Sequence, residues 1–389
     1  MKPAHRIWML VALLVMMGAG YRVIGIAFLP VGKLEGVDYP FNPYISTAET
    51  AKDIWTRGTW QRPHFAVLHG HLMDLSKNRP DVTYRQDVYS RALDGRLLPK
   101  HPLMASLFGA PFYGMLGMPG IWLAEQLVLV GVLASVYALA SRLSAPPAAD
   151  VVGVMAVLGT NLVWYYAYTF SYDLMGAGLV LAGVVVLPRR PLVAGLLWGL
   201  SLHFRVTHVI LFPILLWGYL PAFRTNWKAW VWCGVGGAVM VVPLLWQNFM
   251  LFGDAVMGAY ARVPTYRAGV ELLDGNSMHF SWTYYREFAA RLWGGRESVF
   301  HTYPVMVLLP LALWGVVCAR KNQRQALALL GAGSASVVLH LGYSYWFGSG
   351  GDRFVLVAVL LFLPVWSLAL EALLKSRKAR EQENVQTTV

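Results

Sequence analysis

The stretch DVTYRQDVYSRALDGRLLPKHPLMASLFGAPFYGMLG, residues 81–117, decides how the whole chain is threaded. Its second half, Leu103–Gly117, is apolar enough to pass for a membrane span. Its first half carries Asp81, Asp87, Asp94 and the step Lys100-His101-Pro102. Whether Leu103–Gly117 crosses a bilayer or lies along it sets the side on which every later loop emerges.

The remaining chain supplies the bilayer context. Of 389 residues, 57% are hydrophobic and 13% charged, and the mean hydropathy is +0.49. A soluble domain carries about 25% charged residues, so the deficit identifies an all-α polytopic membrane protein. Apolar runs approaching the roughly 17–25 residues of a span fall at about Ile7–Leu29, Gly120–Ala140, Val151–Tyr168, Phe170–Leu187, Pro191–His203, Val206–Leu220, Trp230–Met250, Val299–Cys318, Ala326–Trp346 and Phe354–Leu373. The first is too long for a signal-peptide core and reads as an uncleaved span. Pro191–His203 and Val206–Leu220 are short. They flank His203-Phe204-Arg205 and read as a helical pair whose tip stays within the membrane boundary.

Net charge is +12, but its distribution speaks for topology rather than for a nucleic-acid partner. Basic clusters occur at Lys2/Arg6, Arg142, Arg189/Arg190, Arg224/Lys228, Arg320/Lys321/Arg324 and Lys375/Arg377/Lys378/Arg380. With ten spans every cluster falls on one side, which the positive-inside rule makes cytoplasmic together with both termini. An eleventh span at Leu103–Gly117 would put successive clusters on opposite sides. That segment therefore reads as a helix lying in the outer interface, with Phe108, Phe112 and Tyr113 buried.

On this threading the extracytoplasmic loops are 30–119, 251–298 and the short turn Phe347–Arg353. Sixteen of the twenty acidic residues then lie outside or at outer helix ends. A first loop of about 90 residues far exceeds ordinary connections and is expected to be functional. Within it Ser46-Thr47-Ala48-Glu49 is a capping box opening a helix that Gly58 closes. Residues 1–374 form one transmembrane domain, and 375–389 a solvated cytoplasmic tail. Cys233 and Cys318 lie inside apolar runs and imply neither a disulfide framework nor a metal pair.

The candidate chemistry gathers on the outer face. Asp38 and Asp87 are loop carboxylates able to take a proton from an acceptor hydroxyl or amine. Lys100, His101, Arg205 and Arg353 stand at outer helix ends, where an anionic lipid phosphate would sit. Arg suits bidentate phosphate contact and Lys a point-charge contact. Arg205, between two apolar helices, is a functional candidate by its depth alone. Asp94, Asn248, Tyr345 and Asp352 are substrate-binding candidates. Gly348, Gly350 and Gly351 before Asp352-Arg353 have the composition of a backbone phosphate cradle. His69, His71 and Asp74 supply donor types for a divalent metal, but an ordinary polar loop is the better account of them and no cofactor is required.

These pieces are similar, in order and spacing over nearly the whole chain, to the GT-C class of integral-membrane glycosyltransferases. The resemblance is carried by Gly58-Thr59-Trp60, Asp94-Gly95, Lys100-x-Pro102, GLSLHFRVTHVILFPILL, WQNFMLFGDAVMGAY and YSYWFGSGGDRFVLVAVLLFLPV. It implies transfer of a sugar from a polyprenyl-phosphate donor to a lipid, glycan or protein acceptor outside a bacterial cytoplasmic membrane. It also implies that Lys100 sits beside the donor phosphate, with Arg205 and Arg353 sharing that task. The family's loop acid falls here at Asn42-Pro43. The nearest acid is Asp38, and Asp87 is its rival for the role of base. Two other readings stay open. A transporter or lipid flippase would bring inverted repeats, which the chain lacks. An inactive subunit of an envelope-polysaccharide complex would need no base.

Overall fold

The computed structural model of the chain describes residues 89–95, 97–99, 104–116, 118–158, 172–220, 225–262, 264–267, 270–273, 282–287, 292–293, 299–319, 322–342 and 354–387. Among them the fold is mostly helical. In chain order the helices are α1 (Met104–Leu116), α2 (Met118–Leu143), α3 (Pro146–Leu158), α4 (Tyr172–Val186), α5 (Pro191–Leu202), α6 (Leu211–Tyr219), α7 (Trp227–Phe252), α8 (Val299–Thr302), α9 (Leu309–Cys318), α10 (Gln323–Leu341) and α11 (Leu356–Thr387). Among the described residues three segments are long and apolar enough to cross a membrane: Leu123–Leu143, Trp227–Phe252 and Leu356–Gln382. Five shorter apolar helices accompany them.

The last helix is the axis of the bundle. Every residue from Phe354 to Ala369 is buried, and α11 packs against α2, α3, α4, α9 and α10. A helix apolar on all sides can only be satisfied this way or by lipid. Helix α7 takes the other solution. It packs mainly on α5, and its face bearing Trp232, Val235, Val239, Val242, Trp246 and Phe249 is exposed. In water so continuous an apolar face would drive association; in hydrocarbon it is an ordinary surface.

Glycine makes the α5–α7 contact close. A Cβ on Gly195 would lie 1.9 Å from the Cys233 carbonyl oxygen, and one on Gly236 2.2 Å from that of Leu192. Without water to squeeze out, membrane helices gain by such close approach of small residues. Helix α7 ends where Gly253, at φ 77°, donates its N–H to the Phe249 carbonyl.

Several boundaries differ from the sequence expectation for local reasons. The run Val299–Cys318 is broken into α8, a 3-10 turn Pro304–Leu308 and α9, because Pro304 and Pro310 have no N–H to continue a helix. Residues 375–377 and 379–382 of the tail are exposed, yet it continues α11 to Thr387. It contains no Gly or Pro, and Lys375–Glu371 and Arg377–Glu381 pair at i,i+4 spacing. Two antiparallel hairpins, absent from an all-α expectation, occupy the loops: β1 (Tyr89–Arg91) with β2 (Leu97–Pro99), and β3 (Pro264–Arg267) with β4 (Val270–Leu273).

The helix ends sort into two groups. At one end Asn322 donates to the carbonyls of Arg142 and Leu143, Arg324 to that of Leu220, and the Ala145 N–H to Glu371. The other end holds the start of α4, the α5–α6 connection, the close of α10 and the entry to α11.

Candidate functional site

Arg205 organises that second end. Helix α5 stops at Leu202, and Arg205 is extended (φ −147°, ψ 106°) before a 3-10 turn, Val206–Ile210, leads into α6. His203 meets the Met240 carbonyl with a ring nitrogen at 2.9 Å, pinning the corner to α7. The guanidinium is therefore held at the bundle end rather than being free to snorkel.

Its partner is Asp173, in the first turn of α4. Arg205 donates from Nε to the Asp173 carboxylate, and the two side chains are 15% and 5% exposed. The guanidinium also lies 4.4 Å from the Phe354 ring centroid and 5.1 Å from that of Tyr172. One charge, one counter-charge and two aromatic faces thus fix its plane.

This arrangement leaves donors and acceptors over. Arg205 Nη2, Thr207 Oγ1 and His208 Nδ1 are buried and have no hydrogen-bond partner among the described residues. All three residues line one recess with Asp173, His340, Phe354, Leu356 and Val357. Buried polar atoms are nearly always paired, so three on residues that line one small recess mark it as a polar spot in an otherwise apolar bundle. The Ser201 carbonyl beneath this corner accepts from the Phe204 and Arg205 N–H groups at 3.1 and 2.9 Å. The Cε1 of His208 rests on Gly176, where a Cβ would come within 2.9 Å. His340 Nδ1 contacts the Ser336 carbonyl at 2.8 Å, and its ring stacks on Phe354 at 5.7 Å. Among the described residues no group of three or more His, Cys, Asp or Glu is arranged to hold a metal ion.

Neighbouring elements connect this recess to the loops. Tyr172 and Phe204 share an apolar cluster with Met104, Ala105, Phe108 and Phe112 of α1. Met104 is four residues after Lys100 in sequence, and Phe354 directly follows Arg353. Tyr260 lies within electrostatic reach of Arg205. It belongs to a 3-10 turn, Gly258–Arg262, to which the β1–β2 hairpin is fastened. Arg262 Nε donates to the Arg91 carbonyl at 2.9 Å, and Leu93 N–H to that of Leu251 at 2.8 Å.

Of the substrate candidates, Asp94 is exposed at the tip of this hairpin beside Gly95, whose φ is 85°. Asn248 is engaged in building the turn after α7. Its amide donates to the Ala255 carbonyl at 3.1 Å, and a Cβ on Gly258 would meet it at 2.5 Å. Asp254 caps the same turn by accepting from the Val256 and Met257 N–H groups. Asp38, Asp87, Lys100, His101, Tyr345, Asp352 and Arg353, with the capping box at Ser46–Glu49 and the metal-donor stretch His69–Asp74, lie outside the described residues.

Sequence reasoning reached Arg205 and missed Asp173, Thr207, His208 and His340. Asp173 and His208 had a readable signal, since each is an ionisable residue inside an apolar run. Comparison of the chain with protein-family models, with characterised proteins and with solved structures finds no match.

Proposed function

We propose that the chain is an integral-membrane glycosyltransferase of about ten spans that moves a sugar from a polyprenyl-phosphate donor to an acceptor. The observation that carries this reading is the Arg205 recess: a fixed cation with a spare N–H, at the end of a bundle whose flank is apolar. The isoprenoid tail stays in hydrocarbon along that flank while the phosphate meets Arg205. Asp173 neutralises Arg205, so the donor's phosphodiester anion, and still more the phosphate dianion that leaves, calls for further positive charge. Lys100 and Arg353, which adjoin in sequence two segments packed around Arg205, supply it.

In the reaction an acceptor oxygen or nitrogen attacks the anomeric carbon. Its proton passes to a first-loop carboxylate, Asp38 or Asp87, as the bond from the anomeric carbon to the phosphate oxygen breaks. The electron pair leaves with the phosphate, where Lys100, Arg205 and Arg353 stabilise it. Asp94, His101, Tyr345 and Asp352 border the sugar and acceptor, and Asn248 shapes the floor beneath the hairpin. The basic helix ends carrying Arg142 and Arg324 lie opposite to Arg205. By the positive-inside rule the site then faces the exterior of a bacterial cytoplasmic membrane, with both termini in the cytoplasm.

Mass spectrometry of lipid co-purified after gentle extraction tests this. A polyprenyl-phosphate sugar retained by the native protein and lost from Arg205→Ala is the expected result. Its absence from the native protein, together with no sugar transfer in reconstituted membranes, refutes the proposal. Retention of the lipid without any transfer, unaffected by Asp38→Asn or Asp87→Asn, would instead identify an inactive subunit.

A further inference from the structure

We propose that the connection between α7 and α8 is fastened to the lipid headgroup layer of the outer leaflet by two tryptophans, Trp282 and Trp293. This goes beyond sugar transfer and rests only on the chain's being a membrane protein. The two side chains are 78% and 63% exposed, yet each stands on a ring that the bundle holds. Trp282 opens a 3-10 turn, Trp282–Glu287, and its ring lies 5.3 Å from that of Tyr285. Tyr285 packs on the bundle core and donates its hydroxyl to the Val338 carbonyl of α10 at 2.7 Å. Trp293 stacks at 4.1 Å on Phe300 of α8, which packs on the same core.

The height and bearing of both pairs favour lipid. Val338 is in the last turn of α10, at the end of the bundle where Arg205 stands. The Gly342 N–H turns to the Leu339 carbonyl. That leaves the Val338 carbonyl to the tyrosine, and a helix end in a membrane needs such a partner. The Val338 side chain is 54% exposed, while His340, roughly 200° around the helix, is buried in the lining of the recess. The turn is therefore tied to the outward face of α10, away from the Arg205 recess. Phe300 leads through the 3-10 turn Pro304–Leu308 into α9. Along that stretch Val307, Leu311 and Trp314 expose one apolar stripe at helical spacing. Each tryptophan thus stands at the outer end of a lipid-facing stripe. A ring that is apolar over its body and polar at its N–H prefers the layer between hydrocarbon and water.

The test uses the full-length chain in phosphatidylcholine nanodiscs, with Cys233 and Cys318 replaced by Ala and a bimane label on Trp282→Cys or Trp293→Cys. Labels on Asp94→Cys, at the exposed hairpin tip, and on Val239→Cys, on the exposed face of α7, mark water and hydrocarbon. Emission is read with lipid brominated near the headgroup, with lipid brominated near the chain end, and with iodide in the water. Labels at 282 and 293 are expected to lose more emission to the shallow lipid than to the deep one, and less to iodide than the label at 94. Quenching by iodide alone at either position overturns the inference, and protection from that iodide by a soluble glucan would identify a saccharide platform instead. Stronger quenching by the deep lipid also overturns it, since the side chains would then lie in the hydrocarbon core. Hydroxyl-radical footprinting of the unsubstituted chain in the same nanodiscs needs no label. Slower oxidation of Trp282 and Trp293 than in the corresponding free peptides supports the inference, and equal oxidation overturns it. Failure of both lipids to quench the label at 239 refutes the membrane reading itself, a result distinct from the others.

Discussion

Breaking the Arg205–Asp173 pair from each side should give unequal costs, and the inequality can be worked from the surroundings. Asp173→Asn keeps the volume and leaves the guanidinium without its counter-charge. That cation retains two aromatic faces, at 4.4 and 5.1 Å, and some contact with solvent at 15% exposure. Its cost should fall near the low end of the range for an orphaned buried charge, about 3 kcal/mol. Arg205→Met instead leaves a carboxylate that is 5% exposed, with apolar surface where its partner stood. That cost should approach about 5 kcal/mol unless the carboxyl group takes up a proton. The double variant removes both charges, so it should be more stable than the sum of the singles by about 3 kcal/mol. Unfolding by SDS titration in mixed micelles, followed by tryptophan fluorescence, measures all four corners of the cycle. Additive effects, or singles that each cost under about 0.5 kcal/mol, would show that the pair is not the anchor described here. Sugar transfer should be lost in both singles, and the double variant should regain stability without regaining activity.

Other perturbations have equally definite outcomes. Gly195→Leu must separate α5 from α7, since its Cβ would otherwise lie 1.9 Å from the Cys233 oxygen. It should cost about 2–4 kcal/mol by overpacking and lost contact, read in the same micellar titration. Gly176→Ala displaces His208 and Phe204, which stand 2.9 and 3.0 Å from the new methyl group. It should reduce transfer at least tenfold while costing under about 2 kcal/mol of stability, so a fall in stability without a fall in activity would count against the recess. Lys375→Ala and Arg377→Ala break exposed i,i+4 pairs on the α11 extension and should change stability by less than about 0.5 kcal/mol each. A larger loss would mean that the extension packs on something beyond its own surface.

Arg205 was legible as a candidate because an ionisable group between two apolar runs is conspicuous in any reading. Its corner was legible too: the runs expected to end at His203 and resume at Val206 are a helix ending at Leu202 and a 3-10 turn starting at Val206. Asp94-Gly95 stood out only as part of a family resemblance, with no turn expected there, and the structure has a hairpin with Gly95 in the left-handed region. What the hairpin packs on was not legible, since its anchors at Leu251 and Arg262 come from the end of α7 and the 3-10 turn after it, more than 150 residues later in the chain. Asn248 read as a substrate contact from its motif, and its neighbours are backbone of its own turn.

The sequence by itself determined that the chain is built of apolar helices, and roughly where most of them run. Hydropathy is a local property of each run, and a backbone in hydrocarbon must satisfy its own hydrogen bonds within the segment. Only the tertiary structure decided that α11 is the axis and α7 the flank, that Asp173 answers Arg205 from 32 residues away, and that Thr207, His208 and His340 line one recess with them. In a bilayer the surroundings are as apolar as the core, so hydrophobicity no longer distinguishes inside from outside. Which faces meet is settled by glycine contacts, aromatic stacking and a few buried polar pairs, and those are made between residues far apart along the chain.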